Sequence, residues 1–320
     1  MSVPSGGIDI VRPTPLPLAG TIGITAPAGP VKTERLQAAV KAIKSDGHKV
    51  VTAPSAFERH GLFAAPDAVR LHELEAMFVS PDVDAVFCAR GGVGSSRLLP
   101  HLDTSKIAAS RKPFLGFSDI TALQWYLWAR EKFISFSGPL AVEWDGGVDD
   151  ATRRQAFNIL RGTASSNLFG DFSRDSVQVL RGRGKVTGRL MPGNLTMITT
   201  LLGTPYLPDL CGTILMIEDV SEPPHRVDRM LFHLRNAGVL NNLAGLLAGD
   251  LEIKDDETST DSVRTSLLDV TNGCDYPVAM SFPYGHGTQR MTLPVGGLVE
   301  FDADHMTLNL LEPVTEEHPV

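Results

Sequence analysis

The chain has 320 residues, 42% of them hydrophobic and 21% charged, so it is long enough for two domains and too apolar to be disordered as a whole. Its 29 basic and 37 acidic side chains give a net charge of −8 at pH 7, which predicts no general attraction to nucleic acid or to an anionic membrane. We find no apolar run near the ~20 residues that a membrane span needs.

The first eighteen residues contain four prolines and no basic flank before an apolar stretch. This pattern predicts an extended leader rather than a signal peptide, and hence a cytoplasmic protein. Three cysteines, at 88, 211 and 274, lie far apart without CxxC spacing, which argues against a disulfide framework and a zinc site. We therefore expect neither a metal nor another cofactor.

Short apolar strands alternate with helical patterns through the first half of the chain. Such alternation predicts an α/β domain with a parallel sheet and helices on both faces, of the Rossmann or flavodoxin-like kind. The predicted strands are 21–27, 49–52, 84–89 and 112–119, and the predicted helices are 34–45, 67–79 and 120–128.

Residues 151–184 are rich in glycine, serine and charge, and they contain one predicted helix, 151–160. We interpret this stretch as the crossover linker between an N-terminal domain, 1–150, and a C-terminal domain, 185–320. The C-terminal domain is predicted to be α/β with a mixed sheet, because a hairpin-like tail follows its alternating elements. Its predicted strands are 186–190, 213–217 and 276–280, its helices are 195–202, 227–236 and 259–271, and its hairpin is 299–311.

One predicted strand of the first domain runs into a glycine-rich loop, Arg90-Gly91-Gly92-Val93-Gly94. Ligands bind at the carboxyl ends of parallel strands, and glycine lets successive N–H groups point at one anion or oxyanion. The spacing matches neither of the common phosphate-binding loops. A tight strand-to-helix turn without a ligand explains the same glycines.

Another predicted strand of this domain ends in Gly116-Phe117-Ser118-Asp119. A serine at the tip of a strand-to-helix turn is exposed and lies beside backbone donors, as a catalytic nucleophile requires. The alternative is that Ser118 or Asp119 only caps the following helix.

A nucleophilic serine needs a base and a group that orients the base. His286 is a candidate base because glycines flank it in Gly285-His286-Gly287, where neither a helix nor a ladder constrains its side chain. Glu218 is a candidate orienting acid because it directly follows an apolar strand and emerges at the carboxyl edge of the sheet. A solvated turn would also account for the three acids near this strand end.

In combination, these motifs resemble the LD-carboxypeptidases, a family of serine peptidases that includes murein tetrapeptide carboxypeptidase and the microcin C7 self-immunity peptidases. The resemblance extends over about residues 20–313, with the motifs in the family's order. The matching segments are 22–29, 86–94 with 96–99, 116–119, 193–195 with 202–205, 217–220 with 222–224 and 228–229, and 285–287.

The resemblance implies a role for each motif. Ser118 would be the nucleophile, His286 the general base, and Glu218 the acid that orients it. The backbone N–H of Asp119, with that of Gly91 or Gly92, would form the oxyanion hole. Four residues would line the substrate pocket: Arg90, Phe117, Val93 and Asn194.

The expected activity is hydrolysis of the amide bond between an L-centre and a C-terminal D-amino acid, as in a murein tetrapeptide during peptidoglycan recycling. A homodimer and a small peptide or peptide-like substrate are also implied, without nucleic acid or membrane as partner. Phe117 and Val93 stand where the family often has tyrosine, and Pro192 and His225 also depart from its pattern. Because the first two flank the expected pocket, they bear on substrate preference.

Three alternatives stay open from the sequence. An immunity-type peptidase that cleaves aminoacyl or peptidyl nucleotide amides would use the same triad. An α/β-hydrolase esterase has the same chain order of serine, acid and histidine, but here Ile120 stands where that fold has glycine. A two-lobed small-molecule binding protein would have a similar architecture and no need of a triad.

Overall fold

The computed structural model describes residues 9–251 and 257–317. Within them the chain forms thirteen strands and eight α-helices. The strands are β1 (Thr21–Thr25), β2 (Lys49–Thr52), β3 (Ala85–Cys88), β4 (Phe114–Gly116), β5 (Ser135–Ser137), β6 (Gln178–Arg181), β7 (Lys185–Asn194), β8 (Thr213–Glu218), β9 (Gly245–Ala248), β10 (Val278–Met280), β11 (Leu293–Val295), β12 (Leu298–Asp302) and β13 (Thr307–Leu310).

The helices follow the strands in the alternation that the sequence predicts. They are α1 (Thr33–Ser45), α2 (Asp67–Val79), α3 (Thr104–Ser110), α4 (Thr121–Glu131), α5 (Asp150–Leu160), α6 (Leu195–Leu201), α7 (Pro224–Asn236) and α8 (Glu257–Val270). No helix in the described part of the chain is long and apolar enough to cross a membrane.

The first sheet has six strands in the order β11-β5-β4-β3-β1-β2, and all neighbours are parallel except β11, which is antiparallel to β5. Strand β3 is buried along its whole length, as a central strand covered on both faces must be. Because β3 and β4 are parallel neighbours, the glycine loop after β3 and Ser118 after β4 emerge at the same edge of this sheet.

The second sheet has seven strands in the order β13-β12-β7-β8-β9-β10-β6. Its four central strands, β7 to β10, are parallel, and antiparallel strands flank them on both sides. The predicted fold class, a parallel α/β sheet followed by a mixed one, is therefore confirmed. Strand register pairs Asn194, at the end of β7, with Glu218, at the end of β8.

Hydrogen bonds connect the two sheets directly. Strand β11 comes from the later half of the chain but completes the first sheet, and the turn after it bonds to β7 through Gly296 and Leu190. Trp125 of α4 donates from Nε1 to the carbonyl of Pro192 in β7 at 2.8 Å. A Cβ on the next residue, Gly193, would lie 2.6 Å from Thr121, so only glycine permits this close approach. The domain boundaries at 150 and 184 stay a prediction.

Several short elements were not predicted from the sequence. Strands β5, β9 and β11 have three or four residues each, and β11 contains a proline. Strand β6 lies inside the predicted crossover linker, where it pairs with β10. Helix α3, with seven residues, was also not predicted.

The described part of the predicted leader, from residue 9, forms no helix or strand. Val11 makes a parallel bridge with Phe133, and the backbone N–H of Leu16 bonds to the carbonyl of Leu160. The segment is thus bonded to the residues just before β5 and to the end of α5. Residues 1–8 of the predicted leader lie outside the described residues.

Candidate active site

Ser118 lies at the tip of a sharp turn between β4 and α4. It has a φ of 61°, in the left-handed region that non-glycine residues seldom occupy. The turn is tight because Ile120 folds back over Gly116, where an added Cβ would lie 2.4 Å from the isoleucine side chain. Backbone strain of this kind concentrates at functional sites. The turn leaves Ser118 half-buried at the carboxyl edge of the sheet.

The glycine loop after β3 packs directly against this turn. A Cβ on Gly91 would lie 2.9 Å from Ser118 Cβ and 3.1 Å from its Oγ. Gly92 has a φ of 101°, which favours glycine. Within the described residues, the N–H groups of Gly91 and Gly92 have no hydrogen-bond acceptor. Backbone donors are thus available beside the serine hydroxyl.

Asp119 connects the serine turn to the glycine loop and has only 2% of its surface exposed. Its Oδ2 accepts from the backbone N–H of Ser95 at 2.8 Å, and its carbonyl accepts from Ser95 Oγ at 2.5 Å. Burial raises the pKa of Asp119, while the bonds from Ser95 oppose the shift. Its side chain therefore fixes the relative position of the two loops.

Glu218 and His286 are hydrogen bonded to each other. His286 Nδ1 lies 2.8 Å from Glu218 Oε2, and the carboxylate has no exposed surface. Burial raises the pKa of Glu218, and the hydrogen bond from His286 opposes that shift. With Nδ1 donating to the carboxylate, Nε2 is the ring nitrogen that can accept a proton.

Asn194 holds the second oxygen of Glu218. Its Nδ2 donates to Glu218 Oε1 at 3.1 Å and to Asp219 Oδ1 at 3.0 Å, and its Oδ1 caps α6 by accepting from Met197 N. Its own backbone N–H bonds to Thr121 Oγ1, beside the serine turn. Asn194 is buried, and these contacts favour a positioning role, whereas the substrate contact expected of it stays a prediction.

Phe117 connects the two parts of the site. Its ring centroid lies 4.8 Å from that of His286, so the residue before Ser118 touches the imidazole. Within the described residues, no hydrogen bond joins Ser118 Oγ to His286. Catalytic hydrogen bonds are often long before substrate binds. Phe117 has no exposed surface, so its expected part in the pocket would be to shape the wall from behind.

The other two expected pocket residues, Arg90 and Val93, lie at the surface of the glycine loop. Val93 is 45% exposed. Arg90 is exposed, and its Nη1 donates to the carbonyl of Pro30 at 2.8 Å. It has no carboxylate partner within the described residues, in contrast to Arg97, which pairs with Asp67. An exposed guanidinium without an acidic partner can bind an anionic group.

In the part of the chain that the structure describes, no three His, Cys, Asp or Glu side chains are grouped so that they could hold a metal ion.

Two models of one protein family match most of the chain. A family model for the LD-carboxypeptidase N-terminal domain matches residues 22–138, and one for the LD-carboxypeptidase C-terminal domain matches residues 187–301. The chain belongs to the LD-carboxypeptidase family. This confirms the predicted resemblance and shows that the chain belongs to a family of peptidases, which are hydrolases.

Relatives with names of two kinds match almost the whole chain. The murein tetrapeptide carboxypeptidase of Pseudomonas aeruginosa is 30% identical, over 88% of this chain and 92% of its own length. The microcin C7 self-immunity protein MccF of Escherichia coli is 28% identical, over 93% of this chain and 95% of its own. The crystal structure of muramoyltetrapeptide carboxypeptidase from Oxalobacter formigenes is 31% identical and superposes with a TM-score of 0.76, over 91% of this chain and 97% of that one.

Some residues around this candidate site could not be inferred from local sequence. Ser95 and Thr121 support the serine turn, and Asp219 binds the first turn of α6 through Thr196. Arg290 donates to a backbone carbonyl of the His286 loop. Asp219 is visible in the sequence as an acid at the end of β8, but its bonds to α6 are not. Arg290 lies in a turn-rich stretch without a recognisable pattern.

Proposed function

We propose that this protein is a serine-type LD-carboxypeptidase whose triad is Ser118, His286 and Glu218. The observation that carries the proposal is the Glu218–His286 hydrogen bond, which lies next to a strained serine turn backed by Gly91. An orienting acid, a base and a serine beside backbone donors are the components that acyl transfer requires.

In the proposed mechanism, His286 Nε2 takes the proton from Ser118 Oγ as the oxygen attacks the scissile carbonyl. Glu218 keeps the imidazole in the required tautomer and stabilises the imidazolium. The N–H of Asp119 with that of Gly91 or Gly92 would hold the oxyanion, and one such donor contributes about 3 kcal/mol of barrier lowering. The amide C–N bond breaks, the leaving amine takes the proton from His286, and water hydrolyses the acyl-enzyme through the same base.

The proposed substrate is a peptide that ends in a D-amino acid with a free carboxylate, as in a murein tetrapeptide. A carboxylate needs a cationic or multiple-donor partner in the pocket. Arg90 supports this assignment because its guanidinium is exposed and has no acidic partner within the described residues. The names of the Pseudomonas and Oxalobacter relatives support the same substrate class.

The second candidate is cleavage of an aminoacyl or peptidyl nucleotide amide. The observation that favours it is the whole-length similarity to the microcin C7 self-immunity protein. The proposed triad would serve either substrate, because both reactions break an amide by acyl transfer.

The test is a mass-spectrometric assay of the wild-type protein and Ser118→Ala. The panel contains a murein tetrapeptide ending in D-Ala, the same peptide ending in L-Ala, and an aminoacyl sulfamoyl adenylate. Release of D-Ala by the wild type alone would support both the activity and the nucleophile. Cleavage of only the adenylate would transfer the protein to the second candidate. A third outcome is that the wild type cleaves nothing but binds a panel member, and that Ser118→Ala binds it with the same affinity. This result would favour the small-molecule binding protein.

A cytoplasmic location, a role in peptidoglycan recycling and a homodimer are parts of the same proposal. Light scattering coupled to size-exclusion chromatography tests the homodimer, and a scattering mass of one chain would contradict it.

A further inference from the structure

His286 lies on a loop whose two ends are joined by a backbone hydrogen bond and whose interior holds the Arg290 side chain. The backbone N–H of Met291 bonds to the carbonyl of Pro283 at 2.8 Å, which closes residues 283–291 into a ring. Arg290 extends into this ring. Its Nε donates to the carbonyl of Gly285, and its Nη2 lies 3.5 Å from the carbonyl of Gly287. The guanidinium thus contacts the peptide groups on both sides of His286.

The same guanidinium is bound to the first half of the chain. Arg290 Nη1 donates to Glu143 Oε2 at 2.7 Å, and its Nη2 donates to Glu143 Oε1 at 2.9 Å. Arg290 has no exposed surface. Glu143 is held in turn by the backbone N–H of Leu140, which donates to Oε2 at 2.7 Å. The pair is therefore a two-bond link between residues 147 positions apart, with the arginine fully buried and the glutamate 19% exposed.

Arg290 also reaches the serine turn. Its Cζ lies 4.0 Å from the centroid of the Phe117 ring, and that ring contacts the His286 imidazole. Because Phe117 directly precedes Ser118, one guanidinium contacts both the loop of the proposed base and the neighbour of the proposed nucleophile. Arginine suits this position because its planar, rigid group can donate in several directions and stack at the same time.

We propose that Arg290, held by Glu143, is the positioning residue that sets the distance and orientation of His286 relative to Ser118. This inference rests on the proposed function, since it assigns the two residues their roles. Arg290 is not itself catalytic: it is buried, and the structure places backbone carbonyls, Glu143 and Phe117 around it.

A purely structural role predicts a different result from substitution. A buried ion pair can often be replaced by apolar residues of similar volume without loss of stability. If the pair only fills space, the double variant Arg290→Met/Glu143→Leu will fold and keep its activity. If the pair positions His286, this variant will fold but lose turnover, because the loop then lacks its internal hydrogen-bond donor.

The test compares Arg290→Met/Glu143→Leu, Arg290→Lys and the wild type by three readouts. These are the melting temperature, the kcat and KM for the panel substrate that the wild type cleaves, and the rate at which a fluorophosphonate probe labels Ser118. Labelling reports the activation of the serine without a substrate, and Ser118→Ala supplies its blank. We expect kcat and the labelling rate to fall about 100-fold in the double variant, because small errors in geometry cost that much. KM should stay within about twofold, since Arg290 does not touch substrate.

The matched control is Arg189→Met/Glu312→Leu. Arg189 also pairs with a glutamate and donates to a loop carbonyl, that of Gly296, but its contacts lie outside the site. This control should keep wild-type kcat and labelling. Arg290→Lys should also have a lower kcat and labelling rate than the wild type, because an ammonium cannot reproduce the two parallel bonds to Glu143.

The outcomes separate the two proposals. A folded double variant with wild-type kcat and labelling would overturn the positioning role and leave the proposed function intact. A wild-type protein that cleaves nothing in the panel and is not labelled would overturn the proposed function, and the positioning role with it. A wild-type protein that is labelled but cleaves nothing in the panel would contradict only the proposed substrate class. The labelling rates of the variants would then still decide the role of Arg290.

Discussion

His286 Nδ1 and Glu218 Oε2 lie 2.8 Å apart, and the carboxylate of this pair is completely buried. A buried carboxylate is costly, because desolvation disfavours its charged form and raises the pKa of Glu218. The imidazole and the Asn194 amide compensate for part of this cost. The protein thus keeps a buried carboxylate despite its desolvation cost, with one hydrogen-bond donor on each of its oxygens.

Glu218→Gln is expected to separate activity from stability. The glutamine amide can still accept from Asn194, but it would present a donor to His286 and favour the wrong imidazole tautomer. We expect kcat to fall by about 10³- to 10⁴-fold. The melting temperature should stay equal or rise, because position 218 then carries no charge that must be desolvated. Steady-state kinetics and calorimetry check this, with Glu300→Gln on β12 as control. A variant with wild-type kcat would contradict the assigned role.

Gly91→Ala tests the close approach of the glycine loop to the serine. The new Cβ would lie 2.9 Å from Ser118 Cβ, so one of the two loops must move. We expect kcat to fall about 100-fold, because the serine and the oxyanion donors would lose their relative position. Gly245→Ala is the matched control, since its Cβ would meet its nearest neighbours at 3.7 Å. Equal activity of both variants would refute the prediction.

Arg90→Met tests the proposed carboxylate contact. Loss of a charge-assisted hydrogen bond to the substrate should raise KM about 10- to 100-fold, with a smaller effect on kcat. The wild-type enzyme should also discriminate against a tetrapeptide amide, and the variant should not. Arg97→Met is the control, because Arg97 is close in sequence but paired with Asp67. If Arg97→Met alone raises KM, the carboxylate contact belongs there.

His48 predicts a pH dependence of stability. Its ring is buried, Nδ1 bonds to the Gly20 carbonyl, and Nε2 lies 2.8 Å from Arg161 Nη2. Burial lowers the pKa of His48 below its ordinary 6.5, and the Arg161 charge adds to this, whereas Asp46 and Asp84 oppose it. As the pH falls, His48 therefore takes up a proton in the unfolded chain before it does so in the folded protein. The free energy of unfolding consequently falls as the pH drops below 6.5.

The check is the melting temperature of the wild type and His48→Asn between pH 7.5 and 5, values chosen to bracket the ordinary pKa on both sides. The asparagine amide can still donate to Gly20 but does not titrate. We expect the decline below pH 6.5 to be smaller in the variant by about 2 °C. The exposed His60, replaced by asparagine, is the control and should follow the wild type. Parallel curves for all three proteins would exclude the His48 contribution.

The parts of the site that follow strands could be predicted from sequence, because a strand end is a local signal. Ser118 comes two residues after Gly116, the last residue of β4. Glu218 follows four apolar residues, and both emerge where parallel strands end. The contacts that hold them could not be predicted. The bond between Arg290 and Glu143 joins residues 147 positions apart, and no periodicity in either segment encodes it.

The first sheet shows the same limit for the fold. Alternating strands and helices predicted its parallel part, but β11 has three residues, contains Pro294 and lies more than 150 residues after β5. Its position at the sheet edge comes from tertiary pairing rather than from strand propensity.

Strand β11 also has a consequence for biosynthesis. Its residues, 293–295, leave the ribosome more than 150 residues after β5, yet they complete the sheet that carries Ser118. The segment with His286 emerges just before them. A growing chain that has not yet released residues 286–295 therefore lacks both the edge strand and the proposed base, and the proposed peptidase cannot assemble its site before then.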